Sequence, residues 1–314
     1  MPVTPEVRTV LDAIAAIGGP PPEELTPEEV RQAYRMLSAA ESRPEMEEVA
    51  DRAIPGPAGD IPVRVYVPTD DPGPRPALVY LHGGGWVIGD LETHDGVARK
   101  LATASEVTVV SVDYRLAPEH PFPAAVDDAL AAVRWVAESA NAASWGIDPA
   151  RLMVGGDSAG GNLAAVAAQQ LRDEVSGLRF QLLVYPAVDM AMAHPSVEEN
   201  GDGYFLTKAE MHWFRHHYLG DDWEAWVADP RVSPLVAADE ALRGVAPALV
   251  ITAECDPLRD EGEAYAARLQ GVGVEAKASR YDGMIHGFFA MGDVVPDGKG
   301  AIEEAAEALR TAVA

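Results

Sequence analysis

Along the chain the spacing of apolar residues changes several times, and each change predicts an element. Leu11, Ile14 and Ile17 recur every three residues, so 6–17 reads as a helix. A second helix is expected over 27–40, where Thr26 precedes Pro27, Glu28 and Glu29: an N-cap followed by proline at the first helical position. Gly18-Gly19-Pro20-Pro21-Pro22 lies between them and continues neither. From Ile61 the period falls to two, with Ile61, Val63, Val65 and Val67 alternating with polar or neutral residues, which predicts a strand.

Beyond that point strands and helices alternate. Residues 77–81, 107–112, 152–155 and 182–185 are short continuous apolar runs, and 97–104, 124–139 and 159–172 read as helices between them. Strands that are apolar on both sides, joined through helices, predict an α/β fold with a mostly parallel sheet covered on both faces. The alternation lapses between about 190 and 235, where a helical stretch at 207–219 is dense in aromatics and histidine. It resumes with a strand at 248–252, a helix near 260–270, a strand near 275–281 and a last helix near 301–313. The expected organisation is a helical arm over 1–50, a core in two parts over 51–189 and 236–314, and an insertion over 190–235.

Composition narrows the classes. Hydrophobic types make up 48% of the 314 residues, which is too many for a disordered chain. The 24 Lys and Arg against 50 Asp and Glu leave a formal charge of −26 and no basic face for nucleic acid. No window approaches the ~18 uninterrupted apolar residues of a membrane span. The start of the chain lacks a cationic, apolar leader pattern, so a soluble cytoplasmic protein is expected. The one cysteine, Cys255, excludes a disulfide scaffold and reads as a small buried residue.

The strongest local signal is Gly156-Asp157-Ser158-Ala159-Gly160, a G-x-S-x-G where a predicted strand ends and a helix begins. Small flanking residues permit a sharp turn that presents Ser158 as a nucleophile at the carboxyl edge of the sheet. A second signal, His82-Gly83-Gly84-Gly85-Trp86, follows the strand at 77–81. Its glycines suit a loop whose amides converge on a small anion, so Gly84 and Gly85, with Ala159 after the nucleophile, are the expected oxyanion hole. A serine nucleophile needs a base and a carboxylate. His286, in a glycine-bracketed loop between the last strand and helix, is the expected base, and Asp256, just past the strand at 248–252, the expected acid. Glu254 and Asp260 are competitors. His212 and His216 have the i, i+4 spacing of a metal pair, but Trp213 stands where a zincin carries glutamate, so no metal is expected.

Together, the stretches at 82–86 and 156–162, Asp113-Tyr114-Arg115-Leu116-Ala117-Pro118-Glu119, and Asp256-Pro257-Leu258-Arg259-Asp260-Glu261-Gly262 resemble the bacterial hormone-sensitive-lipase-like esterases (family IV), in the subgroup whose elbow reads Gly-Asp-Ser-Ala-Gly. The resemblance runs from about residue 60 to the C-terminus. It implies an α/β-hydrolase fold, the 1–50 arm and the 190–235 insertion forming a helical cap, and a Ser158-His286-Asp256 triad acting on short- to medium-chain acyl esters without a cofactor. Trp86, Tyr204, Phe205, Leu206, Trp213 and Phe214 are the expected walls of the substrate pocket, with packing of the cap onto the core as the alternative role for each residue of the insertion. A homodimer through the region 275–313 would follow from the same resemblance. Two other readings use the same residues: a non-catalytic ligand-binding relative, which the presence of His286 disfavours, and an amidase.

Overall fold

The computed structural model describes residues 3–314. Its strands are β1 (Glu48–Gly56), β2 (Gly59–Val67), β3 (Arg75–Leu81), β4 (Thr108–Val112), β5 (Ile147–Asp157), β6 (Leu178–Val184), β7 (Ala248–Cys255) and β8 (Ala276–Ile285). They form one sheet in the order β1-β2-β4-β3-β5-β6-β7-β8. The pairs β1–β2 and β2–β4 are antiparallel; from β4 to β8 every pairing is parallel.

Helices α1 (Pro5–Ile17) and α2 (Pro27–Ser38) form the N-terminal arm. The crossover helices are α3 (Asp95–Ser105), α4 (Ala124–Ala137), the short α5 (Ser139–Ser144) and α6 (Ala159–Gln170). The insertion carries α7 (Pro195–Glu199) and α8 (Lys208–Leu219), and α9 (Asp239–Leu242), α10 (Arg259–Gly271) and α11 (Pro296–Ala312) complete the chain. Two hydrophobic clusters sandwich the sheet. In β3, Ala77, Val79 and Leu81 join α4, α6 and α10 in one, while Leu78 and Tyr80 join α3 and α11 in the other. This two-sided burial is why the parallel strands read as unbroken apolar runs.

The helix starts follow local chemistry. Thr26 caps α2 in a reciprocal box with Glu29, and Thr207 does the same for α8 with Glu210. Most predicted elements lie within a few residues of those observed. β1 is the exception, since a boundary at residue 50 cuts through it. It is an edge strand in which Ile54 is the buried residue, so it offers no apolar alternation to read.

Candidate active site

β5 ends at Asp157 and α6 begins at Ala159, which leaves Ser158 alone in the turn with φ 54 and ψ −116. A non-glycine residue there is strained and persists because its surroundings fix it. The Ser158 amide donates to Val184 O (2.8 Å), and its carbonyl accepts from Asn162 N (3.0 Å) and Ala187 N (3.2 Å). Gly160 is required by space, because a Cβ there would overlap the carbonyls of Leu81 and His82. The turn thus packs directly against the end of β3 and the loop that follows it.

That loop carries Gly84 (φ 113), Gly85 (φ 56) and Trp86 (φ 61), three successive residues in the left-handed region. The amides of Gly84, Gly85 and Ala159 donate to no protein acceptor among the described residues. His82 organises the loop as an interior residue. It is fully buried, stacked on Tyr114 (ring centroids 4.2 Å apart), and its carbonyl accepts from Tyr114 Oη at 2.7 Å. Burial and the neighbouring His94 push its pKa down to about 4, so it is neutral. From α2, Arg31 braces the far side of the loop, donating to Val87 O (2.8 Å), Ala117 O (2.9 Å) and both oxygens of Glu119.

His286 and Asp256 arrive from neighbouring strand ends. Asp256 follows β7 and has no solvent exposure; its Oδ1 accepts from Leu258 N at 2.9 Å and its Oδ2 lies 2.7 Å from His286 Nδ1. His286 Nε2 lies 3.0 Å from Ser158 Oγ. Helix α7 holds the acid loop in place: Asn200 Nδ2 donates to the carbonyls of Glu254 and Asp256, and Ser196 Oγ to that of Pro257. The competing carboxylates face elsewhere. Glu254 accepts from Gly283 N (2.7 Å), and Asp260 accepts from Ser196 N (2.8 Å) and pairs with Arg259. A hydroxyl bonded to an imidazole, itself bonded to a buried carboxylate, can attack an acyl carbon with its proton passing to the imidazole. Unengaged amides of this kind can donate to an oxygen that becomes negative.

The cap residues fall into two groups. Phe214 on α8 lies against Gly85, where an added Cβ would overlap its ring, and Phe205 approaches Gly287 beside His286 less closely, 3.2 Å from where a Cβ would stand. Leu206 and Trp213 are partly buried against the α4/α6 side of the core, and Tyr204 against the α3/α11 side. Trp86, expected in the pocket wall, packs against the cap. It is 3% exposed, and its indole stacks on Tyr218 of α8 with centroids 4.4 Å and planes 3° apart, so it docks the cap onto the loop. His212 meets Arg215, and His216 lies 3.4 Å from Asp221. Among the described residues no group of three or more His, Cys, Asp or Glu is arranged to hold a metal ion.

Several residues that shape the site gave no sequence signal. Tyr185, at φ 34 just past β6, sets its ring 4.5 Å from that of His286. His94 lies 3.4 Å from Asp157 of the elbow. Burial opposes charge on both, but their mutual attraction wins, raising the His94 pKa and lowering that of Asp157. A tyrosine with positive φ, or a histidine at the start of a helix, carries no recognisable pattern in one sequence.

A mostly parallel sheet with a strained serine at a strand–helix turn defines a class, and the chain belongs to it: residues 78–290 match the α/β-hydrolase fold family, in its hormone-sensitive-lipase-like branch. Among its relatives, carboxylic ester hydrolase LipN of Mycobacterium tuberculosis is 45% identical over 271 residues, covering 84% of this chain and 70% of that one. Ethyl acetate hydrolase of Pseudomonas putida is 42% identical over 254 residues, 80% of this chain and 78% of that one. Two solved structures superpose closely. The hyperthermophilic esterase of Pyrobaculum calidifontis has a TM-score of 0.90 at 43% identity, with both chains fully covered. An α/β hydrolase enzyme from the Lake Arreo metagenome has a TM-score of 0.93 at 45% identity, with 98% of each chain covered. No helix among the described residues is long and apolar enough to cross a membrane.

Proposed function

We propose that this protein is a serine carboxylesterase that hydrolyses small esters with short- to medium-chain acyl groups through an acyl-enzyme. The observation that carries the reading is the line Asp256–His286–Ser158, with bonds of 2.7 and 3.0 Å, beside three amides that have no protein acceptor among the described residues. Ser158 Oγ attacks the ester carbonyl while neutral His286 takes its proton at Nε2. Asp256 holds the Nδ1–H tautomer and stabilises the imidazolium. The amides of Gly84, Gly85 and Ala159 receive the oxyanion, each donor contributing ~3–4 kcal/mol to the transition state. His286 then protonates the leaving alcohol, and water repeats the sequence on the acyl-enzyme. The names of three of these relatives, a carboxylic ester hydrolase, an ethyl acetate hydrolase and an esterase, support the substrate class.

Phe205 and Phe214, set against Gly287 and Gly85, support the preference for shorter acyl chains, because they fill space beside the reacting atoms. The test is a series of p-nitrophenyl esters from two to sixteen carbons, with fluorophosphonate labelling of Ser158. We expect kcat/KM to peak at four to eight carbons and both turnover and labelling to vanish in Ser158→Ala. An inactive parent, or an active Ser158→Ala, refutes the mechanism; rates that stay flat beyond ten carbons refute the chain-length preference.

A further inference from the structure

Beneath the Gly83–Gly85 loop lies a group of buried ionisable side chains that the proton transfers do not use. Asp157 Oδ1 accepts from Tyr80 Oη (2.7 Å) and from the Gly83 amide (3.0 Å). Its Oδ2 lies 3.4 Å from Nε2 of His94, which is 2% exposed. On the other side of that ring, Nδ1 is 3.0 Å from Thr93 Oγ1, whose own proton goes to Asp90 O at 2.9 Å. Both ring nitrogens therefore face acceptors, the arrangement of an imidazolium. The Gly83 amide also lies 3.3 Å from His94 Nε2. A protonated nitrogen cannot accept, so the shorter bond to Asp157 is the one that fits.

The charged and titratable groups around the ring come from every element packed on it. Glu41 and Tyr34 belong to the N-terminal arm, Asp90 to the preceding loop, and neutral His82, with its ring centroid 5.4 Å away, to the oxyanion loop. Glu41, Asp90 and Asp157 all favour a positive His94. Contact with the loop is close, since a Cβ on Gly83 would overlap the Asp157 carboxylate.

We propose that Asp157 and His94 are positioning residues for the oxyanion hole, a buried ion pair that fixes Gly83 and, through it, the amides of Gly84 and Gly85 relative to Ser158. This rests on the esterase reading above. A charge-assisted bond holds the Gly83 amide more firmly than a neutral acceptor would, and the carboxylate stays ionised in the interior because its counterion is buried with it. Oxyanion donors lower a barrier only if they are in place before charge develops. The pair secures that placement from behind.

The test compares the full-length parent with Asp157→Asn and His94→Gln, with rates normalised to serine titrated by a fluorophosphonate. In both variants kcat for p-nitrophenyl butyrate should fall ~10–100-fold, while KM changes less than ~3-fold. The inhibition constant of a trifluoromethyl ketone, whose hemiketal oxygen uses the same amides, should rise by the same factor. In the parent, 15N-histidine NMR near pH 7 should show His94 protonated on both nitrogens. A kcat and inhibition constant within ~2-fold of the parent in either folded variant, or a neutral His94, overturns the proposal. If neither variant folds, the NMR measurement on the parent decides. A parent that hydrolyses no ester and takes no label overturns the esterase reading instead, and leaves the protonation of His94 as a separate result.

Discussion

Asp256→Asn changes almost no volume, yet it reverses what the acid loop can offer. In the parent, Oδ1 takes the Leu258 amide at 2.9 Å and Oδ2 faces His286 Nδ1 at 2.7 Å. An asparagine that keeps its carbonyl on Leu258 presents its NH2 to Nδ1, which must then accept. The ring proton moves to Nε2, facing Ser158, and that tautomer cannot take the hydroxyl's proton. Turning the amide over restores the tautomer but sets NH2 against the Leu258 N–H in a site with no solvent exposure. Two buried donors without acceptors cost ~1–3 kcal/mol each. The loss of a full negative charge beside the imidazolium adds to this, and together they amount to ~5.5 kcal/mol, a fall of ~10⁴ in kcat. The assay is p-nitrophenyl butyrate turnover alongside the rate of fluorophosphonate labelling and a thermal melt. Both rates should drop together, with Tm within a few degrees of the parent. A loss under ~10-fold in a well-folded variant would refute the role of Asp256 in holding the Nδ1–H tautomer of His286.

Arg31→Met removes the brace behind the oxyanion loop and should lower kcat ~3–10-fold. The Arg31 guanidinium holds Glu119 down to about 2 from an ordinary 4.5, so the pair stabilises above pH 4.5 and that contribution fades as pH falls toward 2. The Tm gap between parent and variant should narrow over that range; a constant gap contradicts the pairing. Burial pushes Glu41 up to about 7, so the folded chain binds a proton that the unfolded chain releases between pH 4.5 and 7, and stability falls as pH rises. Glu41→Gln should therefore melt ~2–6 °C higher than the parent at pH 8 and about equally at pH 4; an equal gain at both refutes this. Phe214→Ala opens space against Gly85 for two or three methylenes, at ~0.8 kcal/mol each, and should raise the decanoate-to-butyrate ratio of kcat/KM ~10-fold or more. An unchanged ratio would mean that the ring only docks the cap. A homodimer is expected to pair through the outer edge of β8, at the end of the sheet, and light scattering that gives a single-chain mass at micromolar concentration refutes it.

The elements legible in the sequence were those whose burial is uniform. β3, β4 and β5 are covered on both sides, so their residues read as continuous apolar runs, and Thr26 marks the start of α2. β1 escaped because an exposed edge needs no pattern. Ser158, Asp256, His286 and the loop glycines stood out as candidates because each sits where a strand ends and the chemistry restricts the residue type, and the fold brings them together. Tyr185, Arg31 and His94 did not. Their contributions depend on long-range geometry: Arg31 bonds to a carbonyl 56 residues away, and Asp157 meets Gly83 across 74. The stacking of Trp86 on Tyr218 of α8 had no signal either, because the two lie far apart in the chain.

Asn162, one turn into α6 from Ser158, donates through Nδ2 to Ala187 O at 2.7 Å and to Val232 O at 2.9 Å. Those two carbonyls flank the whole 190–231 segment, so a single buried amide staples the point where the chain leaves the catalytic body to the point where it returns. A detour closed at its base in this way is an interchangeable part. Lengthening it costs little, because the free energy of closing a loop grows only with the logarithm of its length, and its sequence can diverge without moving the serine one helical turn away. Grafting the corresponding stretch of another relative between these stems would leave the Ser158 turn in place, so what covers this sheet can change by replacing a module rather than by rebuilding the turn.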